Sequence, residues 1–315
     1  MKPGEGDTIT APADGPGHDV IGMGCCCWDY LGIVPRYPEL DQKVAMGELV
    51  QQGGGQAGTA MAAVARLGGR AAIVGRVGGD EFGGHVRRAF VDEGVDDRWL
   101  VTVPGATSQF AFIAVDESTG KRTIFYIHGT KGKFRPDELP REELLDCRCL
   151  LVDGHHNLAA VAVAGWAREA GVPLVLDLER PQDEDEQLVS LASHAVVPED
   201  FARSFTGERD PERAARAMLE RGPEVVVVTM GARGCLACTS EGAIEQPAYR
   251  VEPLVDTTGA GDVFHGAYAY GIALGYDLAE NLRFSSAVAG LKCRMLGGRA
   301  GIPTMDETQE LLKHQ

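Results

Sequence analysis

The residues best spaced for chemistry lie in VDTTGAGDVFHGAYA, Val255 to Ala269. A threonine pair and a Gly-Ala-Gly step lead into a run of small and aromatic residues that reads as a buried helix. The start of a helix presents N–H groups without intrahelical partners and the positive end of the peptide dipoles. Gly259, Ala260 and Gly261 therefore form a candidate anion cradle. Asp262 falls in the first turn, where its plainest role is to complement the dipole, worth about 0.3–1 kcal/mol. A carboxylate beside an anion cradle has a second use: it can take the proton of an alcohol whose oxygen attacks a phosphoryl group.

Two further glycine clusters have a chemical reading. GGGQAGTAMAAVARLG contains the G-x-G-x-x-G spacing of a dinucleotide site at Gly53, Gly55 and Gly58. Its context argues against that use, because the next strand, AAIVGRVG, carries Arg76 where an acidic ribose ligand belongs. Glycines there also let a polyhydroxy ligand approach backbone N–H groups, or make a bare packing turn. In VVVVTMGARGC, Thr229, Gly231 and Gly234 follow an apolar strand. A hydroxyl and free amides at a strand's carboxyl end suit phosphate, and a hairpin turn into CLACT explains them equally well.

The elements that must position these groups follow a repeating pattern of apolar run, short loop and amphipathic helix. DVIGMGCC, AAIVGRVG, CRCLLVDG, VPLVLDLE, HAVVP and EVVVVTMG read as buried strands, separated by helices such as TAMAAVARLG, LAAVAVAGWAREAG and DPERAARAMLERG. This is an α/β pattern: a doubly wound, mainly parallel sheet. Between about 29 and 50, and again over 109–127, strand-like pieces (KVAMGELV, FAFIAVD, RTIFYIHG) come without crossover helices. They are expected to form a small β-sheet lid of antiparallel ribbons, and a lid excludes water from a reacting group.

With 30 basic against 46 acidic residues, the net charge of −16 excludes a nucleic-acid partner. No apolar run reaches membrane-spanning length, so no membrane partner is expected. Cys25, Cys26 and Cys27 sit within the first apolar run, and the eight cysteines read as buried thiols of a cytoplasmic protein. Cys235 and Cys238 have metal spacing but no second pair. Residues 1–18 read as a flexible tail, without the basic start and apolar core of a signal peptide, and residues 19–315 as one domain.

DTTGAGD, together with GGGQAGTAMAAVARLG and GRVGGDEFG some distance before it, resembles the ribokinase-like or PfkB carbohydrate kinases, from about Asp19 to the C-terminus. The resemblance implies a three-layer α/β/α fold with a β-clasp lid that often makes a homodimer. It also implies ATP-dependent transfer of the γ-phosphoryl group to a hydroxyl of a ketohexose, pentose or sugar acid. Asp262 matches the family's base and Gly259, Ala260 and Gly261 its anion hole. Asp29, expected to end the first strand, Gly54 and Gly55 match sugar-binding positions, and Thr229, Gly231 and Gly234 the nucleotide side. Asp256 and Thr258 match a loop that binds a monovalent cation, usually potassium, in many members. Mg²⁺ is expected with the ATP.

Two departures bear on the substrate. Thr59 replaces a common asparagine, and VPEDFARSFTG lacks the Asn-x-x-Glu motif that organises magnesium, leaving Glu199 as a substitute. VDTTGAGDVFHGA, LKC and GGRAGIP look closest, within the family, to sulfofructose kinase, whose sulfonate needs cations; Lys43 and His155 are the candidates, His155 being expected to titrate near neutrality. A sulfofructose kinase, a nucleoside kinase with Tyr30, Tyr37, Phe110, Phe112, Phe125 and Tyr126 stacking on a purine, and a non-catalytic relative are the alternatives.

Overall fold

Strands that are apolar on both faces need cover on both, and this chain supplies it. The computed structural model describes residues 16–118 and 122–314. The first half runs β1 (His18–Met23), β2 (Cys27–Val34), β3 (Leu49–Gly54), α1 (Gln56–Arg66), β4 (Ala71–Gly78), α2 (Glu81–Asp92), β5 (Asp96–Val103), β6 (Gln109–Asp116) and β7 (Arg122–Ile127). Then come α3 (Arg141–Leu144), β8 (Cys147–Val152), α4 (Leu158–Ala170), β9 (Leu174–Asp177), α5 (Asp185–Leu191), β10 (His194–Pro198), α6 (Glu199–Thr206), α7 (Pro211–Leu219) and β11 (Val225–Thr229). The chain continues through β12 (Cys235–Thr239), β13 (Gly242–Gln246), α8 (Ala260–Leu274), α9 (Leu278–Lys292) and α10 (Met305–His314).

The main sheet has nine strands in the order β13-β12-β11-β10-β9-β8-β1-β4-β5, parallel from β11 to β5 and closed by an antiparallel hairpin, β12–β13. Val20, Ile73, Leu151 and Val227 face a core layer with α1, α2, α8 and α9. Ile21, Val74, Val152 and Val228 face a second layer with α4 to α7. This is the α/β/α sandwich implied by the resemblance. Helix α8 is apolar on nearly every side because it lies between α1, α9 and the sheet.

The lid is a separate four-stranded sheet, β3-β2-β6-β7. The ribbons β2–β3 and β6–β7 are antiparallel, as read from the sequence, but β2 and β6 pair in parallel. Several expectations need correction. Residues 43–48 are not strand; only Leu49 and Val50 of KVAMGELV belong to β3. Asp29 does not end the first strand, since β1 stops at Met23 and Asp29 is the third residue of β2. The three cysteines mark that break rather than a strand interior: Cys25 and Cys26 bridge the sheets and Cys27 opens β2. Helix α1 starts at Gln56 rather than Thr59, because Gly55 turns the chain at φ 87°. Residues 1–15 of the expected tail, and the tip of the ESTG turn, lie outside the described residues. Cys235 and Cys238 belong to opposite core layers, so they share no metal. Among the described residues no helix is long and apolar enough to cross a membrane.

Helices α1 and α8 carry the two glycine motifs and touch through Gly266, where a Cβ would stand 2.3 Å from Ala60 O. Gly266→Ala is expected to cost about 1–3 kcal/mol through this overpacking, measured as a lowered urea midpoint with an unchanged slope.

Candidate active site

In a parallel sheet the crevice opens at the carboxyl ends of the strands, where successive connections depart in opposite directions. Here that point lies between β1 and β8, and four carboxylates, those of Asp29, Asp153, Asp177 and Asp262, stand around it. Asp153, just past β8, is the most heavily bonded. Its Oδ2 accepts from Cys25 N at 2.6 Å and Ala57 N at 3.2 Å, and its Oδ1 from His155 N at 3.0 Å. It ties the β1–β2 crossover, the start of α1 and the loop after β8 together.

His155 Nδ1 lies 3.1 Å from Asp153 Oδ1. That carboxylate pushes the imidazole up to about 12, so the expectation that it titrates near neutrality is overturned. His156 points elsewhere: Nδ1 accepts from Phe134 N at 3.2 Å, and burial lowers its pKa to about 4. It is a packing residue.

Asp29 lies against β3, where a Cβ on Gly54 would fall 1.9 Å from its Oδ2. Only glycine leaves room for that carboxylate. Cys27 Sγ donates to Asp29 Oδ1 at 3.0 Å, and burial raises the acid to about 6 against the opposing pull of Cys27 and Arg299. Arg299 itself is buried, donating through Nη2 to Gly54 O at 3.2 Å and stacking over Phe90 at 5.0 Å. Thr59 is buried on α1.

Across the crevice, Gly259 caps α8 at φ 73°, and a Cβ there would meet Gly298 Cα at 2.8 Å. The Ala260 amide closes back onto Thr257 O at 3.2 Å, while a Cβ on Gly261 would meet nothing within 4 Å. The open side of the helix start is therefore at Gly261. Asp262, in the first turn, is raised well above the ordinary carboxylate range by burial and by Asp177 and Glu179, with His265 and Arg122 opposing. Asp177 accepts from Gln56 Nε2 at 3.1 Å and faces His265 Nδ1 at 3.5 Å. From the lid, Arg122 Nη1 donates to Thr257 Oγ1 at 3.2 Å, placing a guanidinium beside the anion loop.

The two sides meet in one loop. Gly298 packs on Gly259, while Arg299 N donates to Gln52 Oε1 at 3.3 Å and its side chain reaches Gly54. The sugar-side and anion-side motifs, some 200 residues apart in sequence, are thus neighbours.

Other expected positions are farther from this centre. Thr229 ends β11; Gly231 turns at φ 58° in open space, whereas Gly234 is a packing glycine whose Cβ would lie 2.0 Å from Gln246 O. Glu199 is paired with Arg233 and so is not a free magnesium ligand. Lys43 is exposed on the β2–β3 loop beside Phe112 and Phe125, on the lid face opposite Asp29. Tyr30 and Phe110 share that outer face, 5.4 Å apart, with Phe82 of α2 stacked 5.0 Å from Phe110. Tyr126 alone of the lid strands' expected purine-stacking aromatics shares the face of Asp29.

The proposed monovalent cation site does not fit its residues. Asp256 Oδ1 already accepts Thr258 N at 2.8 Å and Thr258 Oγ1 at 2.7 Å, and Oδ2 accepts Gly297 N at 2.8 Å. Its carbonyl accepts the buried ammonium of Lys292 at 2.8 Å.

The family model for the pfkB carbohydrate kinases matches residues 22–305. This chain belongs to that family. It is an ATP-dependent carbohydrate kinase. A ribokinase from Haemophilus influenzae is 29% identical over 83% of this chain and 87% of its own. An ATP-dependent ribose-1-phosphate kinase from Halopiger xanaduensis is 27% identical over 94% of this chain and 98% of its own. A crystal structure from Agrobacterium tumefaciens, provisionally described as a ribokinase, superposes with a TM-score of 0.89 at 32% identity, covering 95% of this chain and 98% of the other.

Sequence reasoning missed Arg122, Asp153, Asp177, His265, Lys292 and Arg299 in this kinase. Lys292 and Arg299 lie inside LKC and GGRAGIP, strings already notable for their resemblance, whereas Asp153 and Asp177 had only their place at strand ends as a signal. The His155 assignment is directly testable. Ring ¹⁵N shifts should show an imidazolium still present at pH 9 and lost from the ring in Asp153→Asn, with His156 neutral at pH 7. The matching stability contribution is full below the ordinary histidine pKa, about 6.5, and declines as pH rises toward about 12.

Proposed function

We propose that this kinase transfers the γ-phosphoryl group of MgATP to a hydroxyl of a small sugar, with Asp262 as general base. The observation that carries the reading is the Gly297–Arg299 loop, which brings the Asp29–Gly54 side against the helix start that bears Asp262. Asp29 and the backbone at Gly54 and Gly55 bind sugar hydroxyls, and the packed side of α1 at Thr59 backs them. The attacking oxygen gives its proton to Asp262 and forms a bond to the γ-phosphorus while the bond to the ADP oxygen breaks. Charge that develops on the transferred group is met by the helix-start amides at Gly259 and Gly261 and by Arg122. Burial and neighbouring carboxylates raise Asp262, which makes it a stronger proton acceptor once it is ionised. Thr229 and Gly231 sit on the nucleotide side. Magnesium arrives as part of the nucleotide.

The charge balance favours an uncharged acceptor, a pentose or ketohexose, over a sugar acid or a sulfonate. His155 is neutralised by Asp153, and Lys43 stands on the far face of the lid. The outward placement of Tyr30, Phe110 and Phe112 counts against a nucleoside. The exposed Ile124, Phe125, Tyr126 and Ile127 of β7 suit a homodimer through the lid.

Asp262→Asn is expected to lower kcat by at least about 10²-fold while calorimetric sugar binding persists; unchanged turnover would remove Asp262 from the role of base. Asp29 becomes an ionised acceptor only as pH rises through about 6. Sugar kcat/KM is therefore expected to climb through that range in the wild type and to lose this limb in Asp29→Asn.

A further inference from the structure

We infer that Lys292 is a built-in cation beneath the anion loop that takes the place of a bound monovalent ion and makes this kinase independent of potassium. The inference rests on the kinase reading above and concerns how the same loop is held in place.

Lys292 is the last residue of α9 and is 0% exposed. A lysine is almost never fully buried without a partner, because the ammonium loses its hydration. Here Nζ donates to Asp256 O at 2.8 Å. The next carbonyl, that of Cys293, accepts Val255 N at 2.9 Å and Asp256 N at 3.2 Å. The anion loop is therefore docked on the carboxyl end of α9, where the dipole's negative end favours a cation. A bound ion at this place would need carbonyl and carboxylate oxygens of the loop. The Asp256 carboxylate already holds three donors and its carbonyl holds the ammonium.

The consequence reaches the chemistry through a short path. Asp256 stands three residues before Gly259, and the turn between them places the amides of the helix start. Without a positive charge under Asp256 O the loop keeps its carboxylate bonds but loses the anchor on its carbonyl side, so the donors move from the phosphoryl group. Lys292 is thus a positioning residue. A purely structural role would change stability alike in every salt, whereas a cation role makes the variant respond to added cations.

The test compares potassium chloride with choline chloride at equal ionic strength, using both ADP release and thermal unfolding. The wild type is expected to show the same kcat within about twofold in the two salts, and the same Tm. Lys292→Ala, which vacates the site, is expected to lose roughly tenfold or more in kcat in choline with sugar KM little changed. Potassium or ammonium should restore much of that loss and raise the variant's Tm. Lys292→Met, which fills the space without charge, should stay low in both salts. Potassium activation of the wild type beyond about twofold, or a potassium-dependent rise in its Tm, overturns the inference. So does a Lys292→Ala protein as active as wild type in choline, or one that folds and responds to neither cation. If neither variant folds, the wild-type comparison decides alone. Absence of ADP release by the wild type with every sugar in both salts would sink the kinase reading instead, and the Tm comparisons would still judge Lys292.

Discussion

The bond between Asp256 Oδ2 and the Gly297 amide, 2.8 Å long, is the contact on which the geometry of the site turns. Asp256 fixes the loop that enters α8, and Gly297 begins the loop that reaches back to β3. A buried carboxylate that accepts three donors holds its neighbours far more rigidly than an exposed one, because no water competes for its oxygens. Through it, a helix start that presents amides is locked to the strand end that bears Gly54 and so to Asp29.

Close approach of backbones makes this possible, and close approach requires missing side chains. Gly54 leaves space for the Asp29 carboxylate, and Gly266 lets α8 lie on α1. The lid adds a second layer of constraint. Its inner face carries Asp29, Leu31, Ala111 and Ile113, while on its outer face Phe110 stacks on Phe82 of α2 and Tyr30 meets both rings edge-on. Strand alternation thus separates the polar reach toward the crevice from the apolar packing that keeps the lid in shape.

Electrostatically, the chain with 46 acidic residues concentrates several of them at one edge of its sheet. Asp29, Asp177 and Asp262 are all raised by burial, and the like charges of Asp177 and Glu179 add to the effect at Asp262. The positive groups that answer them, Arg122, His155, Lys292 and Arg299, come from four different places in the chain. Each is tied to a specific oxygen. Such a site gathers anions only locally, against a negative overall field.

By itself the sequence determined the α/β alternation, the separate lid and the helix start at Gly259 to Asp262. Those features are local: apolar periodicity and glycine spacing act within a few residues, so they can be read without the fold. It did not place the end of β1, because the apolar run passes through Cys25 and Cys26 without a break and only the split into two sheets interrupts it. Tertiary structure alone decided that the Asp153 carboxylate would favour the charged form of His155, that Lys43 would face away from Asp29, and that Lys292 would reach Asp256. The last two depend on distances between residues well separated in sequence, and the first on how the turn after β8 buries and aims two side chains only two residues apart. The charge state of a histidine, or the use of a lysine, follows from what burial brings beside it, and no spacing along the chain encodes that.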